Sequence, residues 1–187
     1  MATTRKEDVR KLIIETTQKL LEHQNTKEVS LSKIAQEAGV SKGTIYYYFK
    51  TKEDIYFAVL DDYLKKQWED FIVWVDNPRK DTSVPRLVKY VMERDFAAPN
   101  IRFHFFYDAM NGNEEVSEKL FKRYEDFAKL IAEKIAERTE GVSAEYLSWL
   151  LLMAADGLLL HKSARNENIN PQDIINKTQI YLKDLLN

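Results

Sequence analysis

The chain has 187 residues, 44% of them hydrophobic and 31% charged, a balance that suits one large globular domain or a small domain joined to a larger one. With no cysteine there is no disulfide framework and no thiolate chemistry. His23, His104 and His161 lack metal-site spacing, so no metal and no other cofactor is expected. The net charge of -2 is unevenly placed: residues 1–55 hold ten Lys/Arg against eight Asp/Glu, and Ser41 to Lys52 carries three lysines and no acid.

In chain order, the first predicted helix covers about residues 5–23, with Val9, Leu12, Ile13, Thr16 and Leu20 on one face. After a polar break, Ser30 is an N-cap for the short helix "LSKIAQEA", which buries Leu31, Ile34, Ala35 and Ala38. Gly39 can take the left-handed conformation that ends it. Ser41 caps the next short helix, and Thr51 with Asp54 forms a capping box for a long helix from Lys52 to Val75.

Residues 84–98 have helical periodicity. "IRFHFFYDAM" alternates like a strand, yet no second strand candidate exists to pair with it, so a buried helix capped by Asn100 is favoured. A charged amphipathic helix follows over 114–138. Ser143 caps a helix running to about Ala164, and Asn170 with Pro171 opens a last one to Leu186. The predicted class is all-α.

A helix, a tight turn and a second short helix over residues 31–49 match the helix-turn-helix plan. On a helical wheel Ile45 and Phe49 share the core side, Tyr47 lies opposite with Gly43 and Thr44 beside it, and Tyr46 and Tyr48 project sideways. Tyrosine can pack on sugar or a thymine methyl and donate to a phosphate oxygen. Lys42, Lys50 and Lys52 supply positive charge, and Gly43 allows close approach. The competing reading is a partly buried hinge between two helical units.

The stretch "LSKIAQEAGVSKGTIYYYFKTKEDI" closely resembles the DNA-binding signature of the TetR (tetracycline-repressor) family of bacterial regulators. Its I-A, A-G-V-S, G-T-I-Y and Y-F-K-x-K-E elements occur in register, and the resemblance covers about residues 9–60. It implies a homodimeric, ligand-released repressor of about nine helices on a palindromic double-stranded DNA operator. By position it places Lys42, Gly43, Thr44, Tyr46, Tyr47 and Lys52 at the DNA, with Tyr48 where the family often has histidine. Leu21 stands where many members carry Phe, and Asn25 where they carry Gly; asparagine tolerates the left-handed turn expected there.

The expected division is a DNA-binding domain over 1–51 and an effector-binding and dimerisation domain over 52–187. Small residues among large ones in "SWLLLMAADGLLL" suit close helix pairing, and Leu150, Ala154, Leu158, Ile174, Tyr181 and Leu185 are the candidate dimer contacts. The middle of the chain is rich in aromatic residues. Trp68, Phe71, Arg102, Phe103, Phe106, Tyr107, Tyr124 and Phe127 are candidates for lining a cavity for a small, mostly apolar or aromatic effector. His104 reads as a hydrogen-bonded core histidine. Neither a transmembrane-length apolar run nor a signal-peptide pattern is present, so a cytoplasmic location without membrane contact is expected. No catalytic motif supports the alternatives of an all-α lipophile carrier or enzyme using the aromatic cavity. A helix-turn-helix protein acting only through protein contacts is the third reading.

Overall fold

The computed structural model describes residues 2–24, 27–97 and 101–186, with side chains over 7–24, 27–97 and 102–186. Among the described residues there are nine helices and no strand: α1 (Ala2–Leu21), α2 (Leu31–Glu37), α3 (Lys42–Tyr48), α4 (Lys52–Val75), α5 (Val84–Ala97), α6 (Ile101–Met110), α7 (Glu114–Ala136), α8 (Ala144–Ser163) and α9 (Pro171–Leu186). The segment that alternates like a strand is α6. The turn expected at Asn25 and the cap expected at Asn100 lie outside the described residues.

The helix boundaries follow local hydrogen-bond chemistry. Each helix start leaves backbone N–H groups without intrahelical acceptors, and side-chain oxygens supply them. Ser30 accepts from the Lys33 amide at 3.2 Å, Ser143 from Tyr146 at 3.3 Å, and Asn170 from Asp173 at 3.1 Å. At the start of α4 the exchange is reciprocal: Thr51 Oγ1 accepts from the Asp54 amide at 3.0 Å, and Asp54 accepts from the Thr51 amide at 2.9 Å. The Asp54 carboxyl is held below its ordinary range, first by that Thr51 amide. Gly39 ends α2 with φ +64°, where a side chain would be strained.

Packing divides the chain into two compact units, Met1–Lys66 with Pro99–Glu118, and Gln67–Ala98 with Lys119–Asn187. This differs from the expected functional division after residue 51, because the first part of α4 and all of α6 belong with α1–α3. The first unit is filled by Ile13, Leu21, Ile34, Ile45, Ile55, Leu60 and Phe105. The buried face of α1 is rotated from the predicted one: Leu12 is exposed, while Ile13, Ile14, Thr17 and Leu21 point inward. Thr17 can do so because its hydroxyl donates to the Ile13 carbonyl at 2.8 Å within its own helix. Tyr56 of α4 donates to the Val29 carbonyl at 3.0 Å, and burial pushes the phenol's pKa up.

In the second unit, α5 lies against α8 and α9. Leu87, Val88, Val91 and Met92 of α5 meet Leu151, Leu152, Leu158 and Ile175 in one core. Arg138 ties this unit's loops together. Its guanidinium donates to the carbonyls of Val75 at 3.0 Å, Thr82 at 2.9 Å and Lys134 at 2.7 Å. The buried Asp95 carboxylate receives two bonds from Arg94, at 2.8 and 2.9 Å. Leu87→Ala removes a wholly buried side chain, so chemical denaturation should show a loss of about 2–5 kcal/mol. The exposed Val73→Ala, on α4, should shift stability by less than about 0.5 kcal/mol.

Candidate nucleic-acid interface

Helix α3 has seven residues, too few to be stable in water alone, so its orientation comes from what it buries. Ile45 is 1% exposed and Phe49 5%, whereas Tyr46 is 55% and Tyr47 63% exposed. The hinge reading, in which the tyrosines are buried between helical units, is therefore not met for these two rings. Tyr48 is partly buried, with its ring edge-on to that of Tyr47 at 5.0 Å between centroids.

The helix opens on Ser41, whose hydroxyl oxygen accepts from the Thr44 amide at 3.0 Å and shares a 2.9 Å hydrogen bond with the Thr44 hydroxyl. The Thr44 side chain is thereby held in one orientation. A Cβ built on Gly43 would meet Ser41 Oγ at 3.6 Å, an ordinary contact. Packing does not require glycine at 43. The missing side chain leaves open surface beside Thr44 and Tyr47.

Lys42 and Lys50 are exposed at the two ends of α3. Lys52 is placed differently: its ammonium lies over the Tyr56 ring, 5.1 Å from the centroid, at the start of α4. Arg10 of α1 stacks its guanidinium over Phe49 at 5.1 Å. Sequence periodicity did not single out Arg10 or Tyr56, since their partners, Phe49 and Val29, are distant in sequence. Together they brace the end of α3 and the loop before α2.

His104 of α6 is half-buried, near the backbone of Leu21 and Gln24. Burial lowers its pKa, and the neighbouring backbone and the charge of Asp108 oppose the shift. Arg102 is buried in the same unit, Phe103 and Phe106 are partly buried and Tyr107 is exposed. The other four effector candidates lie in the second unit. There Phe127 stands 5.4 Å from wholly buried Phe71 and 6.0 Å from Trp68, and Tyr124 donates to the Asp156 carboxylate at 2.9 Å. Of the dimer candidates, Leu150, Ala154, Ile174, Tyr181 and Leu185 are exposed, and Leu158 is buried beneath them in the core.

A capped short helix with a buried apolar edge and an outward edge of lysine, glycine and tyrosine defines a helix-turn-helix DNA-binding segment. Residues 13–59 match the family model of bacterial regulatory proteins of the tetR family. The regulator EthR of Mycolicibacterium smegmatis (strain ATCC 700084 / mc(2)155) is 37% identical over 54 residues, 29% of this chain and 25% of EthR. The chain thus matches about a quarter of that relative's length. BetI of Rhizobium meliloti (strain 1021) is 24% identical over 178 residues, 92% of this chain and 87% of BetI. A transcriptional-regulator fold from Saccharomonospora viridis, solved in complex with choline, superposes with a TM-score of 0.78 at 18% identity and covers 95% of both chains. The relatives are regulators, and the family is not one of enzymes.

The lowered His104 pKa has a defined consequence for this unit. A folded value below the unfolded one leaves stability complete above about pH 6.5, and stability falls as pH drops through the folded value. Asp108, whose pKa burial raises, acts in the opposite sense, so His104→Gln isolates the imidazole. Thermal unfolding at about pH 7.5 and about pH 5.5 should show a larger acid-induced drop for the wild type than for the variant.

Proposed function

We propose that the protein is a homodimeric regulator of transcription that occupies a palindromic double-stranded DNA operator as a repressor. A small, mostly apolar or aromatic effector releases it, and it acts in the cytoplasm. The observation that carries this reading is the outward edge of α3, where Lys42, Gly43, Thr44, Tyr46 and Tyr47 stand on a helix whose opposite edge is locked in a core. In the proposal, Lys42 and Lys52 meet phosphates, Thr44 faces a base edge, and Tyr46, Tyr47 and Tyr48 pack on sugar and thymine methyl groups. Residues 1–51 form the DNA-binding domain and residues 52–187 the effector-binding and dimerisation domain.

The dimer reading is supported by apolar surface on α8 and α9. Leu150, Met153, Ile174, Tyr181 and Leu185 are exposed on these two helices, which is more than scattered surface hydrophobics require. A second copy would cover them and set two recognition helices about 34–36 Å apart, one turn of DNA. The ligand reading draws on the S. viridis neighbour, which holds choline, and on the ring-rich surroundings of Trp68, Phe71 and Phe127.

Release follows if the effector binds more tightly to a dimer whose recognition helices are spaced wrongly for DNA. Helix α4 contributes residues to both compact units, so it is the natural carrier of that change, with Thr51 as its pivot.

Operator duplexes selected from random DNA provide the test. Lys42→Ala should weaken binding to all sequences and reduce the slope of log affinity against log salt by about 0.9. Gly43→Ala should leave thermal stability unchanged or slightly raised, because the new methyl makes only an ordinary contact with Ser41 Oγ and alanine favours helix, yet it should impair operator binding. Tyr47→Ala should also bind more weakly than wild type. Wild-type affinity in all three variants would reject the α3 edge as the DNA-contacting surface.

A further inference from the structure

In the second compact unit, the start of α5 and the ends of α7 and α9 enclose a cleft of about 370 Å³, apart from every residue assigned above to DNA, effector or dimer. Its polar lining comprises Asp81, Ser83, Arg86, Arg138, Thr139, Gln179 and Lys183. Arg138 is a wall here: besides its three carbonyl partners it pairs with Glu137 at 3.0 Å. Asp81 is also engaged. It accepts from the Ser83 amide at 3.0 Å, and that bond, the Ser83 hydroxyl and then the charges of Arg86 and Lys183 hold its carboxyl below the ordinary range.

Arg86 and Lys183 make no hydrogen bond or close ion pair among the described residues, and neither does the Gln179 carboxamide. Lys183 has an ordinary reason to be where it is, since the last turn of a helix attracts a cation. Arg86 has the opposite placement. It is partly buried in the first turn of α5, the positive end of the helix dipole, where a cation is disfavoured. Asp81 offsets one of these two positive charges, so the cleft keeps a net positive charge that an anion from outside the chain would balance.

We propose that this cleft binds a small phosphomonoester, with the Arg86 fork and the Lys183 ammonium taking the phosphate oxygens and Gln179 donating to a third. A guanidinium matches two oxygens of a tetrahedral oxyanion, and an ammonium adds a point charge from another direction. The volume exceeds what bare phosphate fills and lies toward the small end of ligand pockets, which leaves room for a compact organic group on the ester. The site is independent of DNA binding and of effector release, so it stands or falls apart from the regulator reading.

Calorimetric titration of the full chain with glycerol phosphate, at constant ionic strength, tests it. The wild type should bind saturably, one molecule per chain. Arg86→Gln and Lys183→Gln should each weaken binding about tenfold or more. Both variants should keep the wild-type melting temperature without ligand, since neither side chain makes a bond that is lost. Three results would overturn the proposal: no saturable binding, equal affinity in wild type and both variants, or inorganic phosphate and sulfate binding as tightly as the ester. The last would mark an adventitious ion only.

Discussion

The burial of Ile45 and Phe49 along one edge of α3 is the constraint on which the rest depends. A helix of two turns has almost no stability of its own, so a rotation about its axis would cost little without those anchors. With them in the core, the spacing of the intervening residues puts Tyr46 and Tyr47 outside and Lys42, Gly43 and Thr44 at the leading end. The Ser41 cap fixes where the helix begins, and Arg10 over Phe49 supports where it ends. The surface that carries the functional reading is thus produced by packing on its reverse side.

The same logic extends to the neighbouring helices. The capping box of Thr51 and Asp54 starts α4 directly after α3, so few residues separate the outward edge of α3 from a long helix. Tyr56 reaches back to the Val29 carbonyl before α2, and Arg10 of α1 lies over the Phe49 ring. These polar ties cross between elements and accept little change in distance, whereas apolar packing tolerates small sliding. They give the first unit a defined geometry.

The elements were legible where their chemistry is local. Ser30, Ser41, Thr51 with Asp54, Ser143 and Asn170 each cap the helix that follows them, because a cap involves a partner three residues away. The exposed edge of α3 was legible for a similar reason, as a helical wheel needs no distant information. Where the outcome depends on contacts distant in sequence, the reading was less complete. The face of α1 turned out rotated, since a threonine satisfied by its own helix can be buried like an apolar residue. Arg10, Tyr56 and Arg138 give no local signal, as Phe49, Val29, Val75 and Thr82, which they reach, are 27 or more residues away. The aromatic residues could not be sorted for a related reason: a ring that fills a core, such as Phe71, and a ring that lines a cavity have the same sequence pattern.

The central claim is that the Tyr46 and Tyr47 rings face duplex DNA. The most direct measurement is nuclear magnetic resonance of protein labelled with carbon-13 in its tyrosine rings, titrated with a selected operator duplex. The ring signals of Tyr46 and Tyr47 should shift or broaden in step with complex formation, while those of Tyr146 and Tyr181, exposed on α8 and α9, should follow only the general change in tumbling. A complex that forms with the Tyr46 and Tyr47 signals unmoved relative to Tyr146 and Tyr181 would contradict the account.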